Sequence, residues 1–381
     1  MPPKVISPQR AVALECLLFL SYAFFSASWM VGSIVTSDIV QEFGLTSLPS
    51  SVNNAISLAK ILGNFVAAWI LLKLGPKNTV TFSCLLISSV VIGALAMNLP
   101  FFVVTRFLLG FGGAVLMICL TPYVVYCFEP KRQPIWIGIN NAGPNTGNLI
   151  ALLSISPVRT WLGDWRSVIL FYGIFSAALL VLWLMIGRGY PIVPKDESNH
   201  PTQVYRYRDG LREPFLYRFL FTMTGRLVMY PLLVNLFPCT VIGIMLAKKL
   251  KRQMVLYRFS GVSQSLLFFL MILTPSPTGA TISAILLGFV IFISTPSLFT
   301  LPAKLPGATP GKVAVILTLY WAAAYTLQMI IYSLVVHLVN THGWFLAMLF
   351  TAFYSLTFLV GTFLLPDFDR PGSPATEDPP C

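Results

Sequence analysis

The sequence predicts an all-α polytopic membrane protein made of two pseudo-symmetric helical bundles, and three observations carry the prediction. Of its 381 residues, 56% are hydrophobic and only 10% are charged. The apolar residues come in blocks of roughly 20, the length a helix needs to cross a hydrocarbon core. Those blocks lack the period-two alternation of barrel strands, so helices are the way to satisfy their backbone groups in lipid.

In order along the chain, the blocks run near 11–36, 49–72, 78–97, 101–127, 133–156, 166–187, 227–247, 254–274, 279–301, 311–338 and 342–365. The first follows Lys4 and Arg10, is too long for a signal-peptide core and has no cleavage site after it, so it reads as a retained first helix. A net charge of +12 would point to nucleic acid in a soluble chain. Here the basic residues fall in particular loops instead. Lys4, Arg10, Lys73, Lys77, Lys131, Arg132, Lys248, Lys249, Lys251, Arg252, Lys304 and Lys312 alternate, loop by loop, with stretches that carry only Arg159 and Arg166. The positive-inside rule places the first set, and the N-terminus, in the cytoplasm of a multi-pass cell-membrane protein.

The chain divides into an N-terminal bundle of six helices (1–187), a polar, proline-rich cytoplasmic linker (188–213), a C-terminal bundle with five clear helices (214–366) and a polar tail (367–381). The bundles are related: Leu108-Leu109-Gly110-Phe111 recurs as Leu286-Leu287-Gly288-Phe289, and the basic turn Lys73-Leu74-Gly75-Pro76-Lys77 has a counterpart in Lys248–Arg252. Parallel repeats of this kind build transporters. An offset of 175 residues aligns the two turns and puts the partner of the first helix in the linker. The 33 residues from Phe215 to Ala247 are too few for two spans. The seventh helix is therefore expected to be truncated or missing, with Phe215–Gly225 a short stub at most.

Over nearly its whole length the chain resembles the major facilitator superfamily. The loop after the second block, Ala68-Trp69-Ile70-Leu71-Leu72-Lys73-Leu74-Gly75-Pro76-Lys77, is similar to the family's Gly-x-x-x-Asp-Arg-x-Gly-Arg-Arg, with Leu72 in place of the acid. The tight glycine turn and the helix-end cations Lys73 and Lys77 remain. In the fourth helix, Arg106-x-x-x-Gly110-x-Gly112-Gly113 resembles the family's Arg-x-x-x-Gly-x-Gly, which implies close helix packing and an arginine that faces the interior. Gly143-Pro144-Asn145-Thr146-Gly147 looks like the Gly-Pro-x-x-Gly of antiporter branches, though a proline kink with glycine packing also accounts for it. Gly163-Asp164-Trp165-Arg166 and Leu305–Pro310 look like the branch that contains the cyanate and nitrate/nitrite porters.

Transporter sites sit near the bilayer midplane, so intramembrane polar residues are the candidates. Lys60 lies 15 residues before Gly75, roughly 22 Å along a helix, too deep to snorkel easily. It shares a helical face with Asn53 and Asn64, and its repeat partner is Asn235. Tyr22, Ser26 and Trp29 on the first helix, and Asn140, Asn141, Asn145 and Asn148 on the fifth, are further hydrogen-bonding or stacking groups, each of which also suits simple helix packing. Glu15, the sole carboxylate inside a spanning block, sits about one turn from the cytoplasmic end and reads as an interfacial residue. Lys60 and Arg106 without a midplane acid make an electropositive cavity.

The expected function is alternating-access transport of a small anion, by exchange or facilitated movement, with Lys60, Arg106, Asn64, Tyr22, Asn141 and Asn145 at the substrate. Export of neutral or weakly basic organic compounds is the alternative within the same class. An inactive truncated transporter or a membrane sensor is the alternative outside it. An enzyme is not expected. His200, His337 and His342 are scattered, the six cysteines have no metal or redox spacing, and no phosphate-cradling loop appears. Hence no cofactor and no metal are expected, and the partners are a small-molecule substrate and the bilayer, with the chain acting as a monomer.

Overall fold

The structure is a computed structural model, and it describes residues 7–129, 132–189, 207–227, 253–307 and 310–366. In chain order the helices are α1 (Pro8–Ile34), α2 (Thr36–Glu42), α3 (Ser51–Ile87), α4 (Val90–Gly93), α5 (Leu99–Cys127), α6 (Gln133–Leu162), α7 (Trp165–Ile186), α8 (Tyr207–Leu211), α9 (Pro214–Leu227), α10 (Gln253–Leu273), α11 (Pro277–Leu298), α12 (Pro310–His342) and α13 (Trp344–Leu364). A 3₁₀ turn at Leu301–Lys304 joins α11 to the segment before α12. The chain falls into two compact units, Met1–Ser198 and Asn199–Cys381.

Eight runs among the described residues are long and apolar enough to cross a membrane. Three of the eleven sequence blocks are not among them. The block at 227–247 lies outside the described residues apart from Leu227. The blocks at 49–72 and 133–156 form helices, the first leg of α3 and most of α6, but they carry Lys60 and the amide residues. These two helices, too polar to stand out, bring Lys60 and the amide residues to the candidate site.

In the first unit α3 is not one rod. Gly75 has φ +75°, which an L side chain adopts only under strain, and Pro76 follows it. Thr79 Oγ1 donates to Ile70 O at 3.4 Å. Nine residues of unbroken helix would hold these atoms about 13 Å apart, so the chain doubles back here. α5 packs along both legs, and its glycines explain how closely. A Cβ on Gly110 would lie 2.9 Å from Ile56 O on the first leg, and one on Gly112 would lie 2.7 Å from Ser83 O on the second.

The two ends of this unit differ in charge. At one end the Gly75 turn meets the C-terminal ends of α5 and α7: Trp183 Nε1 donates to Lys77 O at 3.3 Å, and the Tyr123 hydroxyl to Arg188 O at 2.8 Å. At the other end the basic residues are matched by acids. Arg159 pairs with Asp38 at 2.8 Å and Arg166 with Glu42 at 2.6 Å, while Arg166 also donates to Ala94 O and Ala96 O. Asp164 caps α7 by accepting from Ser167 N. Net positive charge thus gathers at the Gly75 end.

In the second unit α9 packs on α12 and α13, as α1 packs on α6 and α7 in the first. It therefore occupies the place of a seventh helix. Its 14 residues, about 21 Å of rise, reach the edge of the described residues. Among the described residues this helix is shorter than the roughly 20 residues a span needs, as expected of a truncated seventh helix. Its core is aromatic, with Phe219 packed 4.8 Å from Tyr320 between ring centroids and Phe358 close by. Lys312 pairs with Glu213 at 3.3 Å just before α9 begins.

Candidate functional site

The candidate site is organised by an aromatic ladder on α1. Tyr22, Phe25 and Trp29 recur at three- and four-residue spacing and so share a face. Tyr22 stacks on Phe25 at 5.8 Å between centroids, and Phe25 meets Trp29 at 6.3 Å. Gly113 on α5 makes room for the middle ring, since a Cβ there would lie 2.3 Å from the Phe25 ring.

Lys60 reaches this ladder from α3. Its ammonium stands 3.7 Å from the Trp29 centroid and 5.4 Å from that of Phe25. The residue is only 8% exposed. Ring faces attract a desolvated ammonium by about 2 kcal/mol or more, against about 0.5–1 kcal/mol for an exposed one. Asn53, on the same face one heptad earlier, also meets α1, where its Oδ1 accepts from Ser33 Oγ at 2.6 Å. Asn64 lies one turn beyond Lys60 and is half-buried.

Arg106 grips α1 from α5. Buried to 3% exposure, it donates to Ser28 O at 2.8 Å and to Trp29 O at 2.6 Å. Its guanidinium fits because residue 32 is glycine; a Cβ there would lie 2.2 Å from an Arg106 terminal nitrogen. Beside it is a cavity of about 10 Å³, lined in part by Ser28, Thr105, Arg106 and Tyr172, with room for about one water molecule. Trp29 is thus held from two sides, by Lys60 on its ring and by Arg106 on its carbonyl.

α6 lies on the same side of α1. Gly147 sets the approach, because a Cβ on it would sit 1.9 Å from Ala23 O. Gly143 faces Tyr22 and Phe19, and Pro144 and Asn145 follow it, both half-buried. Asn148 Oδ1 accepts from Ser26 Oγ at 2.8 Å. Asn141 is on the helix, but its side chain is outside the described residues, as are Asn235, Cys239, Cys381 and His200. Lys73 and Lys77 are exposed at the Gly75 turn, with Lys73 4.8 Å from the Trp69 centroid. So Lys60, Arg106 and Tyr22 come together through the α1 ladder, whereas Lys73, Gly75 and Lys77 belong to the turn at the far end of the α3 leg that carries Lys60.

Two features go beyond the sequence reading. Glu15 faces the protein interior rather than the surface: it is 0% exposed and accepts a hydrogen bond from Asn140 Nδ2 on α6. Arg226 on α9 is not among the sequence candidates. It is 0% exposed and donates to Gln264 Oε1 at 2.9 Å, Ser260 Oγ at 2.6 Å, Ile291 O at 3.3 Å and Thr295 Oγ1 at 3.4 Å, with its guanidinium 3.4 Å from the Phe358 centroid. An intramembrane charge is the signal that would have found it.

The comparisons with known proteins agree on the architecture. The chain is 27% identical over 197 residues to the uncharacterized protein Cj0987c of Campylobacter jejuni, covering 51% of this chain and 61% of that protein. It is 20% identical over 164 residues to the uncharacterized protein mhp246 of Mesomycoplasma hyopneumoniae, 42% of this chain and 34% of that one. The chain thus spans less than two thirds of the length of these curated relatives. Among solved structures it is similar to a bacterial homolog of the human lysosomal transporter Spinster, inward-facing and unoccupied (TM-score 0.68, 13% identity, 93% of this chain and 96% of that one). It is also similar to the inward-open xylose transporter XylE of E. coli (TM-score 0.70, 14% identity, 93% and 95%) and to a D-xylose–proton symporter (TM-score 0.70, 14% identity, 96% and 100%). At such identities the likeness establishes the fold. The family model described as Major Facilitator Superfamily matches residues 17–238, more than half of the chain. This chain belongs to the major facilitator superfamily, a family of multi-pass membrane transporters rather than enzymes.

Proposed function

We propose that the chain is a secondary transporter that carries a small anion across the cell membrane by alternating access, with Lys60 as the residue that meets the substrate's charge. One observation carries the reading: two cationic side chains from different helices converge on Trp29, one over its ring and one on its carbonyl. In low-dielectric surroundings such a pair raises the local potential for an anion well above its value in water. Tyr22, Asn64, Asn141 and Asn145 supply hydrogen bonds or stacking around it. The N-terminus and the basic Gly75 end face the cytoplasm in this proposal, by the positive-inside rule. The short motifs at Gly163–Arg166 and Leu305–Pro310 favour the cyanate and nitrate/nitrite porter branch, and so a small planar or linear anion.

The test is thermal stabilisation of the purified protein by a panel of small inorganic and organic anions, with neutral analogues and Lys60→Ala alongside. A ligand at 100 times its Kd adds about 2.7 kcal/mol to the folded state. An anion that raises the melting temperature of the wild type and leaves Lys60→Ala unmoved is the expected result. Equal stabilisation of both proteins removes Lys60 from the site, and stabilisation by neutral compounds alone overturns the anion reading in favour of export of uncharged cargo.

A further inference from the structure

The pair formed by Glu15 on α1 and Asn140 on α6 has a hydrogen-bonding pattern that is incomplete in one specific way. Asn140 Nδ2 donates to Glu15 Oε1. Both residues are buried, to 0% and 4% exposure. The two acceptors left over, Glu15 Oε2 and Asn140 Oδ1, are buried atoms with no hydrogen-bond partner among the described residues. Two buried acceptors on hydrogen-bonded neighbours, neither with a donor among the described residues, cost free energy that native structures rarely tolerate. A carboxylic acid and a primary amide complement each other through two antiparallel bonds, N–H to one carboxyl oxygen and O–H to the amide oxygen. One proton, on the carboxyl oxygen that faces the amide oxygen, completes that ring; turning the amide over changes only which carboxyl oxygen carries it.

We propose that Glu15 and Asn140 form a proton-binding site between α1 and α6, occupied in this conformation. The proton is taken from water by the Glu15 carboxylate, giving a neutral acid whose O–H donates to Asn140 Oδ1. Its release returns the carboxylate and leaves the amide oxygen without a donor. With the proton bound, no net charge is buried and the two helices are joined by two hydrogen bonds. With it lost, a carboxylate sits in an apolar seam on one bond, which favours separation of α1 from α6 or entry of water. The site therefore ties the α1–α6 contact to protonation, and it makes transport by this chain proton-linked, beyond the exchange or facilitated movement expected from the sequence.

The charged groups around it leave this assignment intact. From α5 the Cys127 thiol lies within electrostatic reach of Glu15. Lys60 from α3 and Arg106 from α5 meet α1 at Trp29, fourteen residues and about 21 Å along the helix. On α6 the charged residue is Arg159 and on α7 it is Arg166, both bonded to acids at the opposite end of the unit. On α1 itself Arg10 is one to two turns nearer the helix start.

Infrared spectroscopy of the purified full chain tests the proposal without any substrate, so its failure and that of the anion reading are distinguishable. Glu15 is the sole carboxylate within a spanning block. Wild type at neutral pH is expected to show a protonated-carboxyl C=O band that disappears on alkaline titration and on Glu15→Gln. The glutamine variant places an N–H where the proton was and so keeps the ring, and its melting temperature is expected to lose the pH dependence of the wild type through the same range. A wild-type spectrum without a protonated carboxyl at neutral pH overturns the proposal, and that arm stands even if Glu15→Gln does not fold. So does a band that survives in Glu15→Gln.

Discussion

Replacing Gly147 by alanine adds one methyl group where the structure has no room for it. The new Cβ would lie 1.9 Å from Ala23 O and 2.7 Å from the carbonyl carbon, both backbone atoms of α1. Ordinary contact requires about 3.5 Å, so the helices must part by about 1.5 Å or α1 must rotate. Neither is free. The Ser26–Asn148 hydrogen bond at 2.8 Å spans the same seam, as do the Tyr22–Gly143 contact and the Glu15–Asn140 pair. Forced overpacking costs about 1–3 kcal/mol, and a lost buried hydrogen bond adds about 1 kcal/mol. Alanine's better helix propensity returns about 1 kcal/mol. The net loss is about 1–3 kcal/mol, read as a drop of several degrees in the melting temperature of the purified protein. Gly143→Ala is the internal comparison: its Cβ would be 3.3 Å from the edge of the Tyr22 ring, a side chain that gives way, so its effect is smaller. If Gly147→Ala melts at or above the wild-type temperature, or no lower than Gly143→Ala, the close approach of α1 and α6 is not what holds this seam.

Further predictions concern the paired end of the first unit and the buried arginine of the second. The hydrogen bonds from the Arg166 guanidinium and then the Trp165 indole hold the Glu42 carboxyl below its ordinary value. A depressed folded-state value contributes stability above the unfolded one and loses it as pH falls through the folded one. Glu42→Gln is therefore expected to melt below wild type at neutral pH and to converge with it on acidification; parallel curves at every pH would refute the pairing. Arg226→Lys keeps the charge but loses the planar fork that reaches Gln264, Ser260 and Thr295 together. It is expected to cost on the order of 3 kcal/mol by thermal or denaturant unfolding, since bonds to a charged group are worth about 1.5–3 kcal/mol each. Full stability of that variant would mean the network does not hold α9 in place.

Much of the architecture was legible from the order of residues, because span length and loop charge act locally. The Gly75 turn was readable from Gly-Pro between two apolar blocks, and the structure reverses the chain there. Close packing at Gly110, Gly112 and Gly113 was readable from their spacing, although the partners, Ile56, Ser83 and Phe25, were not. The site was legible in part. Helical spacing put Lys60 and Asn53 on one face, and both do meet α1. What spacing could not supply is the neighbour. Glu15 looks interfacial when only its distance from the helix start is counted, yet burial depends on which helix covers it, and α6 arrives 125 residues later. Arg226 is a similar case: it follows a segment read as a stub, and its side-chain partners lie 34 to 69 residues further on.

The grip of Arg106 on α1 also ties the histories of two positions together. Its guanidinium occupies the space that any side chain at residue 32 would fill. A change at Gly32 alone meets the guanidinium, and a change at Arg106 alone leaves a hollow beside the helix and frees the carbonyls of Ser28 and Trp29. Sites coupled through a shared volume do not add. Residues 32 and 106, 74 positions apart in the chain, therefore form one unit of variation, in which glycine is the price of the arginine and each constrains what the other can become.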